Sequence, residues 1–351
     1  MRVGLTSGDP NGIGIETILK TFQDERMFSS ITPILYASEI LVENNLKNLG
    51  VENVNINVIE YIDKAKKGKL NILKTCPEDF NHEPGDLNSE AGEYSFSSLK
   101  NAVEDLASNK FDVLVTAPIN KNSITQSGFK FPGQTEYLAD FANADDALMI
   151  LVGNGLRIGI VTGHIALKDV ATRLTKETIQ SKLSLMNDSL LKDFGCHTPK
   201  IAVLGLNPHA GDNGLMGNEE KNIIYPAIQE ANANEIQAYG PYAADGFFGS
   251  GAYKKFDGVL AMYHDQGLAP FKALNFGRGV NYTAGLPIVR TSPDHGTGFD
   301  IAGKGEASPD SIRAAIFLAN DIRKNRLEYR DIFRNPLKTT PPKREFSNSR
   351  R

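Results

Sequence analysis

The strongest constraint on this chain is a set of short, mostly apolar runs separated by stretches of helical period. Phe111-Asp112-Val113-Leu114-Val115 and Ile201-Ala202-Val203-Leu204 are apolar over most of their length, without the alternation of a half-buried strand. Strands of that kind are buried on both faces, so the sheet they form must be covered by helices on each side. Runs at 2–7, 32–37, 111–117, 147–153, 157–162, 200–206 and 258–263 read this way. Between them, Ile179, Leu183, Met186, Leu190 and Phe194 step by four, three, four and four, with Gly195 placed as a C-terminal stop. Ser308 as N-cap and Pro309 in the first turn open a further helix through Ile312, Ile316 and Ala319. Alternating strands and helices predict an α/β fold with a mostly parallel sheet. At 351 residues the chain exceeds what one core usually supports, so two domains or one large α/β unit are expected. Residues 339–351 are rich in Pro, Lys, Ser and Arg and read as a mobile tail.

Several function classes drop out on composition. With 38 Lys plus Arg against 42 Asp plus Glu, the net charge of −4 argues against nucleic acid as the main partner. No apolar run approaches the ~20 residues that span a bilayer. The N-terminus enters a strand at once, without a signal-peptide pattern, so a cytoplasmic location is expected. Cys76 and Cys196 cannot form a disulfide framework.

Three of the six histidines follow strand-like runs: His164 in Thr162-Gly163-His164, His209 in Asn207-Pro208-His209-Ala210-Gly211-Asp212, and His264 in Tyr263-His264-Asp265-Gln266-Gly267. Ligands of open parallel sheets bind beyond the carboxyl ends of the strands. Three imidazoles there could hold a divalent metal with open positions for substrate or water. Each alone is more simply a loop histidine, and the spacing matches no metal signature. His82 and His197 read as solvated or structural. His295 begins the Gly-rich turn Asp294-His295-Gly296-Thr297-Gly298-Phe299-Asp300, which can surround an anionic ligand with backbone N–H groups.

Lys272, Asn281 and Arg290 lie in one polar, Gly-rich stretch and are candidates for holding phosphate or carboxylate. Gln134-Thr135-Glu136 follows a Pro-Gly turn and adds two uncharged hydrogen-bonding side chains. The loop Gly8-Asp9-Pro10-Asn11-Gly12-Ile13-Gly14 sits where a dinucleotide loop would, yet Thr17 breaks the Rossmann fingerprint. Neither a Walker A pattern nor a Gly-x-Ser-x-Gly elbow occurs, which counts against P-loop kinases and α/β-hydrolases.

Taken in order, Gly8–Gly14, Thr116-Ala117-Pro118-Ile119-Asn120-Lys121, Thr135-Glu136, Gly163-His164, Asn207–Asp212, Tyr263–Gly267 and Asp294–Gly298 form a joint pattern. That pattern resembles the 4-hydroxythreonine-4-phosphate dehydrogenase family of pyridoxal phosphate biosynthesis, within the isocitrate/isopropylmalate dehydrogenase-like group. The resemblance runs from residue 4 to about residue 320. It implies a homodimer of two-domain α/β/α subunits, with the active site in the interdomain cleft and shared between subunits. Residues 1–128 with 277–351 would form the first domain and carry the cofactor loop. Residues 129–276 would form the second, with metal, substrate and dimer contacts.

Carried over by position, the resemblance implies a metal (zinc, magnesium or cobalt) on His164, His209 and His264. It places substrate on Gln134, Thr135, Lys272, Asn281 and Arg290, and NAD or NADP on His295, Gly296, Thr297 and Asp300. The chain departs at Gln134, where family members commonly have histidine, and at Ile15, where many have proline. The implied reaction oxidises the C3 hydroxyl of 4-phosphooxy-L-threonine, and the β-keto acid then loses CO₂. Asp265, Asp245 and Lys272 are candidates for proton transfer or support. Competing readings are a dehydrogenase of threonate or erythronate 4-phosphate, a metal-dependent phosphohydrolase, and a non-enzymatic metabolite sensor.

Overall fold

A computed structural model describes residues 1–144 and 146–335. The tail expected at 339–351 lies outside the described residues. Twelve strands form one sheet: β1 (Arg2–Thr6), β2 (Thr32–Ala37), β3 (Ile56–Ile59), β4 (Leu70–Lys74), β5 (Val113–Thr116), β6 (Leu148–Gly153), β7 (Leu156–Thr162), β8 (Lys200–Leu204), β9 (Gln237–Tyr242), β10 (Gly258–Tyr263), β11 (Val280–Ala284) and β12 (Arg290–Pro293). Their order is β3-β4-β2-β1-β5-β12-β11-β6-β7-β10-β8-β9.

The apolar runs correspond to β1, β2, β5, β6, β7, β8 and β10. Five strands lacked that signal. β3 and β9 are the outer edges, where one side faces solvent and the apolar run is broken. β11 and β12 form an antiparallel hairpin inside what reads in sequence as one polar loop, because alternate positions carry the polar site residues. The helix over Lys176–Lys192 buries Ile179, Leu183, Met186 and Leu190, and Gly195 follows it at φ +67°. The last helix runs Asp310–Phe333, with Pro309 itself as N-cap residue and the Asp310 N–H donating to the Ser308 hydroxyl at 3.2 Å. It begins one residue later than Ser308 as N-cap would place it.

Side chains along the central strands alternate between two buried faces. One face is a continuous apolar core. Val3 and Leu5 of β1, Val113 and Val115 of β5, Tyr282 of β11, Ile150 of β6 and Leu260 of β10 pack there with Leu183, Met186, Ile312 and Ile316 of the long helices. The other face is split. Ile34, Tyr36 and Leu114 pack there with Leu99 and Val103 at one end. Ile158, Ile160, Val259 and Ala261 pack with Phe271 at the other. Between these clusters the same face carries Thr116, Arg290, Ser292, Asn281 and Thr283, since each is one step out of register with a core residue of its strand. The polar gap in the middle of the sheet is therefore written into the period-2 pattern of β5, β12 and β11.

Strand direction decides which loops reach this gap. β12 runs parallel to β5, but β11, β6 and β7 each reverse on their neighbour. So β7, β10 and β8 run opposite to β1, β5 and β12. The histidine-bearing loops leave one edge of the sheet, and the Gly-rich loops leave the other. Among the described residues no helix is long and apolar enough to cross a membrane.

Candidate active site

Arg290 opens β12 and is 4% exposed. Its Nε and Nη2 donate to the Thr116 hydroxyl at 3.0 and 2.7 Å, and Nη2 also donates to Gln134 Oε1 at 3.1 Å. Nη1 donates to the Thr283 and Thr135 hydroxyls at 3.2 and 3.4 Å. Every partner is neutral, and no carboxylate among the described residues pairs with it. Burial pulls the guanidinium down to about 10, with Glu136 opposing, so it stays charged at neutral pH. A buried cation lacking a counter-charge costs several kcal/mol unless an anion completes it. The pocket has the chemistry of an anion site.

Lys272 lies on the helix His264–Asn275. Its ammonium donates to the Asp294 carbonyl at 3.1 Å and stands 3.5 Å from the Asp294 carboxylate. Burial raises the Asp294 carboxyl, against the pull of Lys272, His295 and His264, so His264 lies within electrostatic reach of this group. Asn281 Oδ1 is buried without a hydrogen-bond partner. His295 Nδ1 lies 2.9 Å from the Gly296 carbonyl and must donate to it. Its Nε2 is then a bare acceptor, buried and unpartnered, while burial holds the ring below the ordinary imidazole value.

The loop that begins at His295 packs on the loop after β1. Ile13 N–H donates to the Thr297 carbonyl at 2.9 Å, and a Cβ on Gly12 would lie 2.7 Å from that same oxygen. Glycine at 12 is thus what lets the two loops meet. Asp300 is exposed, and its carbonyl accepts from Lys304. Unpartnered acceptors at Asn281, His295 and Asp9 Oδ2 suit ligands rich in donors, such as a nicotinamide amide, ribose hydroxyls or an ammonium group.

His164 and His264 stand with ring centroids 5.7 Å apart, at the ends of the paired strands β7 and β10. Both line a cavity of about 270 Å³ with Gly163, Val170, Tyr263 and Asp265. Asp265 Oδ1 lies 2.7 Å from His264 Nδ1, which fixes the tautomer and leaves Nε2 as the free ligand atom. Desolvation lowers the His164 pKa, Lys121 lowers it further, and Glu136 opposes both. The pair fits two positions of a divalent-metal site.

The expected histidine trio is not assembled within one chain. Among the described residues no three His, Cys, Asp or Glu side chains are grouped to hold a metal. His209 is exposed on the loop after β8, in a left-handed turn where His209, Ala210, Gly211, Asp212 and Asn213 all have positive φ. That conformation is costly for residues other than glycine. It is anchored by the buried Glu220, which accepts from the Leu206 and Asn207 N–H groups, each at 2.7 Å, and from the Asn207 amide at 2.9 Å. Asp245, exposed at the start of the helix Ala244–Gly249, belongs with this turn, on which that helix packs. It is not grouped with the histidine pair.

Sequence reasoning passed over Thr116 and Thr283, which hold Arg290, and Glu136, Lys121 and Asp294, which act on the site electrostatically. Thr283 was discoverable from the alternation Asn281-x-Thr283 and Arg290-x-Ser292, had that stretch been read as a hairpin, whereas Thr116 ends the apolar run of β5. No local signal marks Asp294, because its role depends on a helix contributing Lys272 from 22 residues upstream.

Comparisons with known proteins agree on one family. The family model described as "Pyridoxal phosphate biosynthetic protein PdxA" matches residues 29–319. A relative from Bacteroides thetaiotaomicron, named 4-hydroxythreonine-4-phosphate dehydrogenase, is 49% identical over 339 residues, covering 96% of this chain and 93% of that protein. One of the same name from Sulfurihydrogenibium is 43% identical, covering 91% and 97%. The crystal structure of 4-hydroxythreonine-4-phosphate dehydrogenase from Klebsiella pneumoniae superposes with a TM-score of 0.81 at 33% identity, covering 92% of this chain and 99% of that one.

Proposed function

The chain belongs to the PdxA family of pyridoxal phosphate biosynthetic proteins, and on that premise we propose that it acts as the enzyme its relatives are named for. The reaction is oxidation of the C3 hydroxyl of 4-phosphooxy-L-threonine to 2-amino-3-oxo-4-phosphooxybutanoate, which loses CO₂ to give 3-amino-2-oxopropyl phosphate. The observation that carries the reading is Arg290, a buried cation among three threonine hydroxyls with no carboxylate to neutralise it.

In this reading Arg290 and Thr135 bind one anionic group of the substrate, Lys272 supplies a second cation, and the bare Asn281 oxygen accepts from a substrate donor. The loop His295, Gly296, Thr297 and Asp300 would position NAD or NADP, which would supply the hydride acceptor. His164 and His264 would hold a divalent ion, which would supply Lewis-acid stabilisation of negative charge on a substrate oxygen. Asp265 keeps His264 in the ligating tautomer and stays a candidate proton acceptor.

The site is completed by a second copy of the chain, which brings its own His209. Exposed apolar side chains on both loops support this: Leu167 at 73% beside His164, and Leu215 at 77% beside His209. In this reading the two domains are 1–128 with 277–351, and 129–276, of which residues 336–351 lie outside the described ones.

Reduced-nicotinamide absorbance tests the proposal, using purified protein, 4-phosphooxy-L-threonine and either cofactor before and after chelation. Turnover abolished by chelator and restored by a divalent ion supports it. A signal with threonate or erythronate 4-phosphate alone moves the substrate, and silence with all three overturns the reading.

A further inference from the structure

We propose that Gln134 does not contact the substrate but is the positioning residue for Arg290, and that its neutral amide adds no charge of its own to the anion pocket. The inference rests on Arg290 being the anion site. Gln134 opens the helix Gln134–Phe141 and is 7% exposed. Its Nε2 donates to the Ala117 carbonyl at 3.0 Å, and its Oε1 accepts from Arg290 Nη2 at 3.1 Å. Only one orientation of the amide satisfies both partners, since a carbonyl cannot donate and a guanidinium cannot accept. Each polar atom of the side chain thus has a partner inside the protein.

The five contacts of Arg290 divide by edge. Thr116 and Gln134 take Nε and Nη2 at 2.7 to 3.1 Å, which fixes the plane of the guanidinium. The Nη1 edge has only the long contacts to Thr283 and Thr135, at 3.2 and 3.4 Å. An arriving anion gains most where the existing bonds are weakest, so it meets Nη1 and Thr135. Gln134 Oε1 already fills the second Nη2 hydrogen, next to that edge. Gln134 also ties the guanidinium to the Ala117 carbonyl, so Thr116 at the end of β5 holds Arg290 directly and Ala117, the next residue, holds it through Gln134.

Charge follows from the same geometry. A carboxylate at 134 would pair with Arg290 and cancel the field that attracts the anion, while losing the bond to the Ala117 carbonyl. A protonated imidazole could not accept from Nη2 and would add a second cation. With glutamine, position 134 contributes no charge and no titration to the pocket.

A double-mutant cycle tests this, with kcat and KM for 4-phosphooxy-L-threonine and calorimetric binding of inorganic phosphate. Gln134→Met is expected to raise KM about tenfold, with kcat changed less than about twofold, the loss of a charge-assisted hydrogen bond. In an Arg290→Met background the same change is expected to add less than about twofold to the loss in kcat/KM, because a residue acting only through Arg290 has nothing left to position. A full additional loss in that background would show direct substrate contact and overturn the proposal, as would an unchanged KM in the single variant. An Arg290→Met protein that binds phosphate normally would instead overturn the anion site itself. Should Gln134→Met not fold, Gln134→Glu decides: phosphate binding weakened at least about thirtyfold supports the charge argument, and binding within about twofold of the parent refutes it.

Discussion

Arg290 reaches Thr116 across adjacent parallel strands, and two donors of the guanidinium, Nε and Nη2, converge on the one threonine hydroxyl at 3.0 and 2.7 Å. Both contacts depend on the planar fork of arginine. A lysine ammonium can reach one hydroxyl but cannot hold the Nη1 edge toward Thr135.

Arg290→Lys is therefore expected to raise KM for the phosphorylated substrate by about ten- to a hundredfold while kcat changes little, the pattern of lost ground-state binding. Because the guanidinium stays protonated until about 10, KM of the parent enzyme should show no basic limb attributable to it between pH 7 and 9. Steady-state kinetics across that range check both statements. A fall in kcat with KM intact would place Arg290 in the chemical step instead.

His209 offers a test of the shared site that needs no structure of the assembly. His164→Ala and His209→Ala each remove one ligand, and each pure variant is expected to lose nearly all activity. If His209 serves the neighbouring subunit, a mixed dimer of the two variants contains one intact site and one doubly damaged site. Statistical mixing then restores about a quarter of parental activity. If His209 acts within its own chain, every site in every dimer carries a lesion and mixing restores nothing.

The sheet and its two covered faces were legible in the sequence because strands buried on both sides leave unbroken apolar runs, as in Val113-Leu114-Val115. The histidines were legible as loop residues at strand ends, and His164 and His264 do meet. The turn that carries His209 was not legible, since it is anchored by Glu220, eleven residues downstream, and carries no pattern of its own. Gln134 read as a substrate contact because an amide beside a threonine suits an anion equally well. The Ala117 carbonyl accepts from one of its N–H groups, which supports the positioning role proposed above and carries no signal in the sequence.

Away from the site, Asp193 is 3% exposed and accepts from Arg326 Nε, Ser189 Oγ and Tyr282 Oη, each at 2.6 Å. Arg326 also donates to the carbonyls of Leu286, Pro287 and Ile288, so it fastens the last helix to the turn of the β11–β12 hairpin that carries Arg290. Arg326→Met leaves the Asp193 carboxylate without its cation and is expected to cost about 3 kcal/mol. Asp193→Asn/Arg326→Met removes both charges and should recover part of that loss. Chemical denaturation of the three proteins measures it, and equal midpoints for parent and Arg326→Met would refute the network's role.

Asp9, in the loop after β1, is 1% exposed; its Oδ1 accepts from Asn11 N–H at 3.0 Å, and Oδ2 has no partner. Burial raises its carboxyl to about 6, above the ordinary aspartate value. The folded state thus binds this proton more tightly than the unfolded chain, so ionised Asp9 destabilises the fold above about pH 6, and the penalty disappears as pH falls toward 4. A shift of that size corresponds to at most about 3 kcal/mol. Asp9→Asn should accordingly melt higher than the parent at pH 8 and equally at pH 4. A buried carboxylate kept at such a cost, next to the loop that reaches Thr297, is expected to serve the reaction, so the stabilised variant should turn over more slowly. Thermal melts at the two pH values and a single rate assay decide the matter. A melting point independent of the substitution at pH 8 would show that Asp9 is not held ionised against its environment, and full turnover in a stabilised variant would show that its charge does no chemistry.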